Sequence, residues 1–331
     1  MTPETLLRIE DLHLHYRSRE GIVRAVDGVS MDLASGRAMA VLGESGCGKS
    51  SLTRAILRLL PENVERYDGR MMMGGQDLMS LGDERFRRQV RWMRIALVAQ
   101  AAMNALNPVV RVGKQVGEPL RTHTDMSRGD VERRVRQSFR ELDVPVDFLQ
   151  RYPFELSGGM RQRAIIAMAL VADPDLILLD EPTSALDLLT QANIMNSLKR
   201  IKEERNTGFV FITHDVGTAS ELADDVAVMY AGQMVEVCSA EEFFSHQLHP
   251  YSEKLMASVP RLEGDSELEF IPGRPPSLFD PPPGCRFAPR CDRCFEKCKE
   301  PPPVFTVSGG RRVRCWLFDA KGEREQEAVD A

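Results

Sequence analysis

The segment AMAVLGESGCGKSS, residues 38–51, restricts the fold of this chain more than any other part of its sequence. A short apolar run, Ala38 to Leu42, leads directly into a glycine-rich loop with the pattern G-x-x-x-x-G-K-[ST]. Glycines let backbone N–H groups turn towards phosphate oxygens, and the helix that starts there adds the positive end of its dipole. The segment therefore predicts a buried strand, a phosphate-binding loop and a helix, in that order.

The side chains of this loop have separate expected roles. Lys49 reaches the outer phosphates of a nucleotide, and the hydroxyl of Ser50 binds Mg²⁺. We assign no redox role to Cys47. The loop residues expected to contact the nucleotide are Gly43, Ser45, Gly46, Gly48, Lys49, Ser50 and Ser51.

A second motif, LILLDEP at 176–182, ends an apolar strand with Asp180 and Glu181. In open α/β folds, nucleotides bind at the carboxyl edge of the sheet, where these carboxylates would lie. One carboxylate can orient Mg²⁺ and its waters, and its neighbour can accept a proton from an attacking water. Together with the glycine-rich loop, this strand predicts a nucleoside triphosphatase.

Apolar runs and amphipathic stretches alternate up to about residue 240, which is typical of an α/β domain with a central sheet. The expected strands are 38–42, 95–99, 176–180 and 209–213. The alternation stops between about residues 107 and 155, where SRGDVERRVRQSFRELDV has helical spacing behind an N-cap residue, Ser127. We expect a small helical subdomain, at about 101–156, inserted into the α/β core.

Charge and hydropathy exclude several classes of function. The chain has 331 residues and a net charge of −6 with mixed signs, which argues against a nucleic-acid surface. We interpret the basic cluster at 85–94 as a solvated helix face. The longest apolar stretch, Ala164 to Ala172, is far shorter than the roughly 20 residues of a membrane span. The first residues lack a secretory pattern, so we expect a cytoplasmic chain without disulfides.

The motif LSGGMRQR, residues 156–163, distinguishes between kinds of ATPase. Its serine and glycines again suit the binding of phosphate at the start of a helix. Because a chain needs only one phosphate loop per nucleotide, this second phosphate-binding element implies that a second subunit is present. The chain resembles the ABC ATPase family, in which the LSGGQ-type signature of one subunit closes over the nucleotide held by the other. The resemblance covers residues 1 to about 260 and implies a P-loop NTPase (RecA-like) α/β fold.

The resemblance also implies roles for single residues. Tyr16 is similar to the aromatic residue that stacks on adenine, and Gln100 to the Q-loop glutamine that senses Mg²⁺ and the water. His214 resembles the switch histidine that contacts the γ-phosphate, and Glu181 becomes the general base. The Mg²⁺ ligands are then Ser50, Gln100 and Asp180. The remaining nucleotide-contacting residues are Ser157, Gly158 and Gly159 of the signature, which act on the partner's ATP, and Asp187 of the D-loop motif SALD.

In this family, ATP binding draws two subunits together and hydrolysis releases them. The motion passes to membrane subunits through the helical subdomain beside Gln100. The resemblance therefore implies an ATP-hydrolysing subunit of a solute importer, peripheral on the cytoplasmic face of the membrane. The implied partners are a second ATPase subunit, paralogous or identical, two transmembrane permease subunits and, indirectly, an extracytoplasmic solute-binding protein; nucleic acid is not expected.

The tail beyond about residue 260 has a different composition, because ten of the chain's 20 prolines fall between Pro272 and Pro303. Long helices are not expected there, and a loop-rich domain at 261–331 needs some further device to hold one shape. The segments 249–262 and 271–291 resemble the C-terminal extension of ATP-binding subunits in dipeptide and oligopeptide importers. The resemblance makes peptides the expected substrate.

Closely spaced cysteines in this tail predict a metal site. Some relatives hold a 4Fe-4S cluster on cysteines with the spacing C-x5-C-x6-C and a later C. The cysteines with that spacing are Cys285, Cys291, Cys298 and Cys315. Cys294 departs from the pattern by forming a C-x-x-C with Cys291, which leaves open which four would ligate. Thiolates at this spacing suit either a cluster or tetrahedral zinc, and metal-free thiols are a third interpretation. Cys238 is expected to be an ordinary buried residue.

Three alternatives stay open. The sequence after Gln100, AAMNALNP, departs from the more familiar Q-D/E-P continuation, so relatives that import nickel or oligosaccharides remain alternatives to peptide importers. A non-transport ABC ATPase is another alternative, although the chain has neither a long coiled-coil insertion nor a second cassette. In the third, the tail is a redox sensor that governs the ATPase.

Overall fold

The computed structural model describes residues 4–184, 186–258 and 271–319. The strands in this part of the chain are β1 (Thr5–Arg17), β2 (Ile22–Ala34), β3 (Ala38–Leu42), β4 (Val64–Met73), β5 (Gln76–Asp77), β6 (Ile95–Val98), β7 (Leu176–Asp180), β8 (Gly208–Ile212), β9 (Asp225–Tyr230), β10 (Gln233–Ser239), β11 (Phe305–Thr306) and β12 (Arg312–Val313). The helices are α1 (Lys49–Ile56), α2 (Asp83–Gln89), α3 (Val112–Val116), α4 (Glu118–His123), α5 (Arg128–Glu141), α6 (Gly158–Leu170), α7 (Leu188–Arg205), α8 (Val216–Leu222), α9 (Ala240–Ser245) and α10 (Pro250–Ala257).

The chain divides into two compact units, each built from several stretches of sequence. The described residues of the first unit are 4–7, 32–38, 72–184 and 186–212. Those of the second unit are 8–31, 39–71, 213–258 and 271–319. No helix among the described residues is long and apolar enough to cross a bilayer.

The first unit contains three parallel strands, with β7 between β6 and β8. Ile95 pairs with Leu176 at one end of the β6 ladder, and Asp180 pairs with Ile212 at the end of the β8 ladder. All five residues of β7 and of β8 are buried. Continuous apolar runs of this kind suit parallel strands that are covered on both faces. The strands predicted at 95–99, 176–180 and 209–213 are confirmed to within one residue.

The segment between 107 and 155 is helical, as the sequence predicts. α5 begins behind Ser127, whose hydroxyl accepts a hydrogen bond from the N–H of Asp130 at 3.2 Å. Its apolar face, Val131, Val135 and Phe139, is buried. The expected N-cap and the helical spacing are therefore both confirmed.

In the second unit, β3 pairs in parallel with β9, and β9 pairs antiparallel with β10. The C-terminal segment continues this arrangement, because β12 pairs antiparallel with β10 and β11 with β12. Within 271–319 the helical turns are three or four residues long, in agreement with the loop-rich expectation. β11 and β12 were not predicted from the sequence. Val313 and Cys315 of this segment form a small apolar core with Leu248.

Candidate nucleotide-binding and hydrolysis site

The phosphate-binding loop lies in the second unit, between β3 and α1. Gly43 and Gly48 have φ angles of 151° and 111°, which residues with a side chain rarely adopt. A Cβ atom at Gly43 would lie 2.2 Å from the carbonyl oxygen of Met229, and one at Gly48 would lie 2.0 Å from that of Ala25. Both positions therefore require glycine, because neither the backbone angle nor the available space accepts a side chain.

Lys49 folds back along the loop that precedes it. Its Nζ donates hydrogen bonds to the carbonyl oxygens of Gly43, at 2.6 Å, and Glu44, at 2.9 Å. The lysine charge is thus held at the start of α1, where the free backbone N–H groups of a helix also favour an anion. The other predicted contact residues of the loop are exposed or half-buried: Ser45, Gly46, Gly48, Ser50 and Ser51. Burial raises the pKa of the Cys47 thiol, which keeps it protonated.

Gln100 and Glu181 meet in the first unit. Nε2 of Gln100 donates a hydrogen bond to Oε2 of Glu181 at 2.8 Å. Asp180, the last residue of β7, is buried, and Glu181 follows it with a φ angle of 49°. A non-glycine residue in this backbone region is strained, and such residues cluster at functional sites. The arrangement brings an acid, a base candidate and an amide to the end of one buried strand.

The signature and D-loop motifs also come together in the first unit. The Ser157 hydroxyl caps α6 by accepting a hydrogen bond from the N–H of Met160 at 3.3 Å. The Asp187 carboxylate caps α7 by accepting from the N–H of Thr190 at 2.9 Å and from its hydroxyl at 2.8 Å. These hydrogen bonds lower the pKa of Asp187. A Cβ atom at Gly159 would lie 2.6 Å from Cγ2 of Thr190, so the signature packs directly against the first turn of α7, which Asp187 caps.

His214 and Tyr16 belong to the second unit. The residue before His214, Thr213, donates its N–H to the carbonyl oxygen of Val41 at 3.3 Å, and His214 itself is exposed. Tyr16 is half-buried and lies next to the last residue of β1. The predicted site residues thus form two sets. Tyr16, the phosphate loop and His214 lie in the second unit, whereas Gln100, Asp180, Glu181, Asp187 and 157–159 lie in the first.

Sequence reasoning missed a contact between the C-terminal extension and the phosphate loop. The guanidinium of Arg290 pairs with both carboxylate oxygens of Glu44, at 2.7 and 3.0 Å. The hydroxyl of Tyr251 accepts a hydrogen bond from the N–H of Glu44 at 2.8 Å. Glu44 occupies an unspecified position of the loop pattern, so the motif gave no signal for its role.

The tail cysteines differ in burial. Cys285, Cys298 and Cys315 are buried, Cys291 is half-buried and Cys294 is exposed. Burial raises the pKa of Cys315 to about 12, and the nearby thiols of Cys285, Cys291 and Cys298 act in the same direction. The N–H of Cys285 donates to the carbonyl oxygen of Cys298 at 2.9 Å. The four cysteines with the predicted spacing therefore lie near one another.

Two histidines of β1 form a separate polar cluster. Oδ1 of Asp27 lies 3.1 Å from Nδ1 of His13 and 2.9 Å from Nε2 of His15, and its other oxygen pairs with Arg286. Burial lowers the pKa of His15. Burial alone raises the pKa of Asp27, but Arg286 and His15 hold it below its usual value. Every member has a partner, so we interpret the cluster as a hydrogen-bond network and assign no metal to it.

Cys238, predicted as an ordinary buried residue, is buried in β10. Burial raises the pKa of its thiol to about 12. A protonated, enclosed thiol is chemically inert, so the structure agrees with that prediction.

The strand, glycine-rich loop and helix at 38–56, together with the acidic strand end beside Gln100, define a P-loop nucleoside triphosphatase. Comparison with known proteins identifies the family. The family model described as ABC transporter matches residues 26–184, and the one described as oligopeptide/dipeptide transporter, C-terminal region, matches residues 235–298. The chain belongs to the ABC transporter family of ATP-binding, ATP-hydrolysing proteins, in the branch that carries this C-terminal region.

Curated relatives match over nearly their whole length. The chain is 41% identical to the dipeptide transport ATP-binding protein DppD of Bacillus subtilis (strain 168), covering 99% of both chains. It is 40% identical to the oligopeptide transport ATP-binding protein OppD of the same organism, covering 98% of this chain and 93% of that one. Among solved structures, the ATP-binding cassette MJ0796, dimeric and bound to ADP and Pi, is 27% identical with a TM-score of 0.63, covering 71% of this chain and 98% of that one. The predicted family and fold are confirmed.

Proposed function

We propose that this chain binds and hydrolyses ATP as the engine of a peptide importer of the dipeptide or oligopeptide class. The full-length similarity to dipeptide and oligopeptide transport ATP-binding proteins supports this substrate class. The contact between Gln100 and Glu181 carries the hydrolytic part of the proposal, because it gives a candidate base a fixed position. In this assignment residues 1–260 are the ATP-binding domain, with a helical subdomain at about 101–156, and residues 261–331 are the C-terminal extension.

Each site residue has a chemical task in this proposal. Glu181 accepts the proton of the attacking water, and Gln100 orients that water. Lys49 and the loop N–H groups bind the phosphates, His214 contacts the γ-phosphate, and Tyr16 stacks on adenine. The donors for Mg²⁺ are the oxygens of Ser50, Gln100 and Asp180, and oxygen is the ligand type that this ion prefers. When bound, Mg²⁺ neutralises phosphate charge.

The signature motif indicates a second ATPase subunit. Ser157, Gly158 and Gly159 are exposed or half-buried at the start of α6, where backbone N–H groups favour an anion. Asp187 caps the neighbouring helix, whose next residues, Leu188 and Leu189, are 84% and 73% exposed. Large apolar side chains with such exposure suit an interface. We therefore assign this surface to a paralogous or identical partner, whose bound ATP the signature completes.

The helical segment offers a surface for the membrane subunits. A cavity of about 640 Å³ is lined by residues of α3 to α5 and their connections, among them Val109, Leu149 and Tyr152. Val109 is 79% exposed, and Phe154, whose ring stacks on Tyr152, is 72% exposed. The lining also includes four basic side chains, Arg111, Lys114, Arg121 and Arg128. A concavity with apolar and basic groups suits a short amphipathic helix of a permease. Binding of permease helices to this surface would place the chain on the cytoplasmic face of the membrane. Its partners there would be two permease subunits, which receive solute from an extracytoplasmic binding protein.

For the tail we propose a 4Fe-4S cluster held by Cys285, Cys291, Cys298 and Cys315. The burial of these residues fits the group. Three of the four thiols are buried, and one of them, Cys315, belongs to a small apolar core, which suits a cluster shielded from water. The exposed Cys294 is the alternative fourth ligand, and zinc the alternative metal.

A membrane-recruitment experiment tests the importer proposal. We expect the chain, co-expressed with its permease pair, to sediment with membranes and to hydrolyse ATP faster when peptide is delivered to the reconstituted complex. Phe154→Asp should abolish sedimentation and leave ATP affinity unchanged, because Phe154 lies on the exposed helical surface. Leu59→Asp, at an exposed apolar residue elsewhere, is the control and should sediment normally. ATPase activity that responds to nucleic acid and not to the permease would contradict the proposal.

A further inference from the structure

The second residue of the phosphate loop, Glu44, is held by the C-terminal extension through its side chain. Nη1 and Nη2 of Arg290 donate to the two carboxylate oxygens of Glu44 at 2.7 and 3.0 Å. The Arg290 side chain is 4% exposed and that of Glu44 is 25% exposed. A two-pronged arginine–carboxylate pair of this kind fixes orientation as well as distance, and it is among the stronger hydrogen-bonded pairs in proteins.

Arg290 is itself fixed by further partners. Its Nε donates to the carbonyl oxygen of Pro272 at 2.7 Å, and its Nη1 also donates to the hydroxyl of Tyr230 at 3.2 Å. It ends a short helical turn, Ala288–Arg290, immediately before Cys291. The guanidinium is therefore held in place by the extension and by β9. Because it is already ordered, forming the ion pair with Glu44 costs little side-chain entropy.

A second contact holds the backbone of Glu44. The hydroxyl of Tyr251, on α10, accepts the Glu44 N–H at 2.8 Å. The Tyr251 ring is fully buried, with ring centroids 4.5 Å from Tyr230 and 5.4 Å from Phe287. Because the ring has no room to move, the position of its hydroxyl sets the direction of the peptide N–H at this point of the loop.

These contacts bear on phosphate binding in two ways. Lys49 donates to the carbonyl oxygens of Gly43 and Glu44. Tyr251 holds the N–H of the peptide group whose carbonyl belongs to Gly43, and Arg290 holds the side chain of Glu44, so both act on the residues that anchor the lysine. The carboxylate of Glu44 would also repel phosphate if it were unpaired, and Arg290 neutralises it. Both effects act on the affinity of the loop for an anion.

We propose that Arg290 of the C-terminal extension and Tyr251 of α10 are positioning residues for the phosphate loop, so that the extension, through Arg290, helps to set the affinity of this chain for ATP. The inference rests on ATP binding at the loop, and it goes beyond the proposed function because it gives the extension a task in nucleotide binding. Neither residue touches the nucleotide in this proposal. Both act through Glu44.

The experiment compares ATP affinity and steady-state kinetics of the wild type and four variants, all purified as full-length chains, with a fluorescent ATP analogue as the binding probe. Tyr251→Phe removes one hydroxyl and keeps the buried ring, and Arg290→Leu removes the ion pair. Arg290→Lys keeps the charge and loses the two-pronged geometry. Arg293→Leu is the matched control, because Arg293 lies three residues away and its ion pair with Glu253 is exposed.

We expect Arg290→Leu to weaken ATP binding about tenfold and to raise KM by a similar factor, with a smaller change in kcat at saturating ATP. Tyr251→Phe should weaken binding severalfold, Arg290→Lys should fall between wild type and Arg290→Leu, and the control should match wild type. Unchanged affinity in Tyr251→Phe and in a folded Arg290→Leu would overturn the inference. If Arg290→Leu does not fold, unchanged ATP affinity in both Tyr251→Phe and Arg290→Lys would overturn the inference instead. Failure of the proposed function would appear separately, as a wild-type chain that binds no ATP.

Discussion

Nε2 of Gln100 lies 2.8 Å from Oε2 of Glu181, although the two residues are 81 positions apart in the chain. Gln100 follows β6 by two residues, and Glu181 follows β7 by one. Because β6 and β7 are parallel neighbours, their carboxyl ends bring the two side chains to the same edge. The amide therefore holds the carboxylate in a fixed position at this edge.

Glu181→Gln should lower turnover by at least about two orders of magnitude and preserve ATP binding. The substitution keeps the size of the side chain and its contact with Gln100 but removes the group that accepts the proton. General-base catalysis contributes roughly 100-fold to 10,000-fold, so kcat should fall within that range. Rapid-quench assays measure the rate of ATP hydrolysis. Gel filtration in the presence of ATP should show that the variant stays in the closed dimer. Glu204→Gln, at an exposed residue of α7, is the control, and near-normal hydrolysis by Glu181→Gln would remove Glu181 from this role.

Lys49→Ala should weaken ATP binding itself. The ammonium lies on the loop carbonyls of Gly43 and Glu44, and its removal takes away the charge that meets the outer phosphates. We expect the affinity for ATP, measured by titration calorimetry, to fall at least about tenfold. Lys299→Ala, at a lysine that is 75% exposed, should bind ATP as wild type does. Undiminished affinity in Lys49→Ala would count against the phosphate-loop assignment.

Protein purified without oxygen should contain close to four irons and four sulfides per chain. Cys298→Ser should lose most of this content, because Cys298 is buried beside Cys285 and would ligate directly. Cys294→Ser should retain it, because Cys294 is exposed. Iron, acid-labile sulfide and zinc are measured together with the visible spectrum. If the wild type contains zinc without sulfide, the site is a structural zinc site and not a cluster. If Cys294→Ser loses its metal and Cys298→Ser does not, Cys294 is a ligand in place of Cys298.

Much of the site follows from local sequence. β3 and β7 are short apolar runs, and the glycines at 43 and 48 are imposed by backbone angles that the loop pattern itself encodes. The Arg290–Glu44 pair could not be found in this way, because its members are 246 positions apart and neither type of residue is distinctive in its own segment. β11 and β12 are two residues long, too short for periodicity to show, and they form because β10 offers an unpaired edge.

His249 makes the stability of the protein depend on pH between its two pKa values. Burial lowers the pKa of this fully enclosed ring to about 3, and the nearby positive charge of Arg293 acts in the same direction. The unfolded chain has the ordinary value, 6.5, so below that pH it binds a proton that the folded chain does not. The stabilising contribution is therefore complete above pH 6.5 and is lost as the pH falls towards 3.

His249→Asn should remove this dependence and keep the helix cap. Nδ1 of His249 accepts the N–H of Tyr251 at 3.0 Å at the start of α10, and asparagine is also a good N-cap residue. We expect the wild-type free energy of unfolding to fall by up to about 1.4 kcal/mol per pH unit more than that of the variant between pH 6.5 and 4. Urea titrations at pH 7.5 and 5 give the difference in free energy of unfolding between wild type and variant at each pH. The contributions of other titrating groups are the same in both proteins and cancel in this difference. The exposed His246→Asn is the control, and an equal wild-type advantage at both pH values would show that His249 does not titrate as its burial requires.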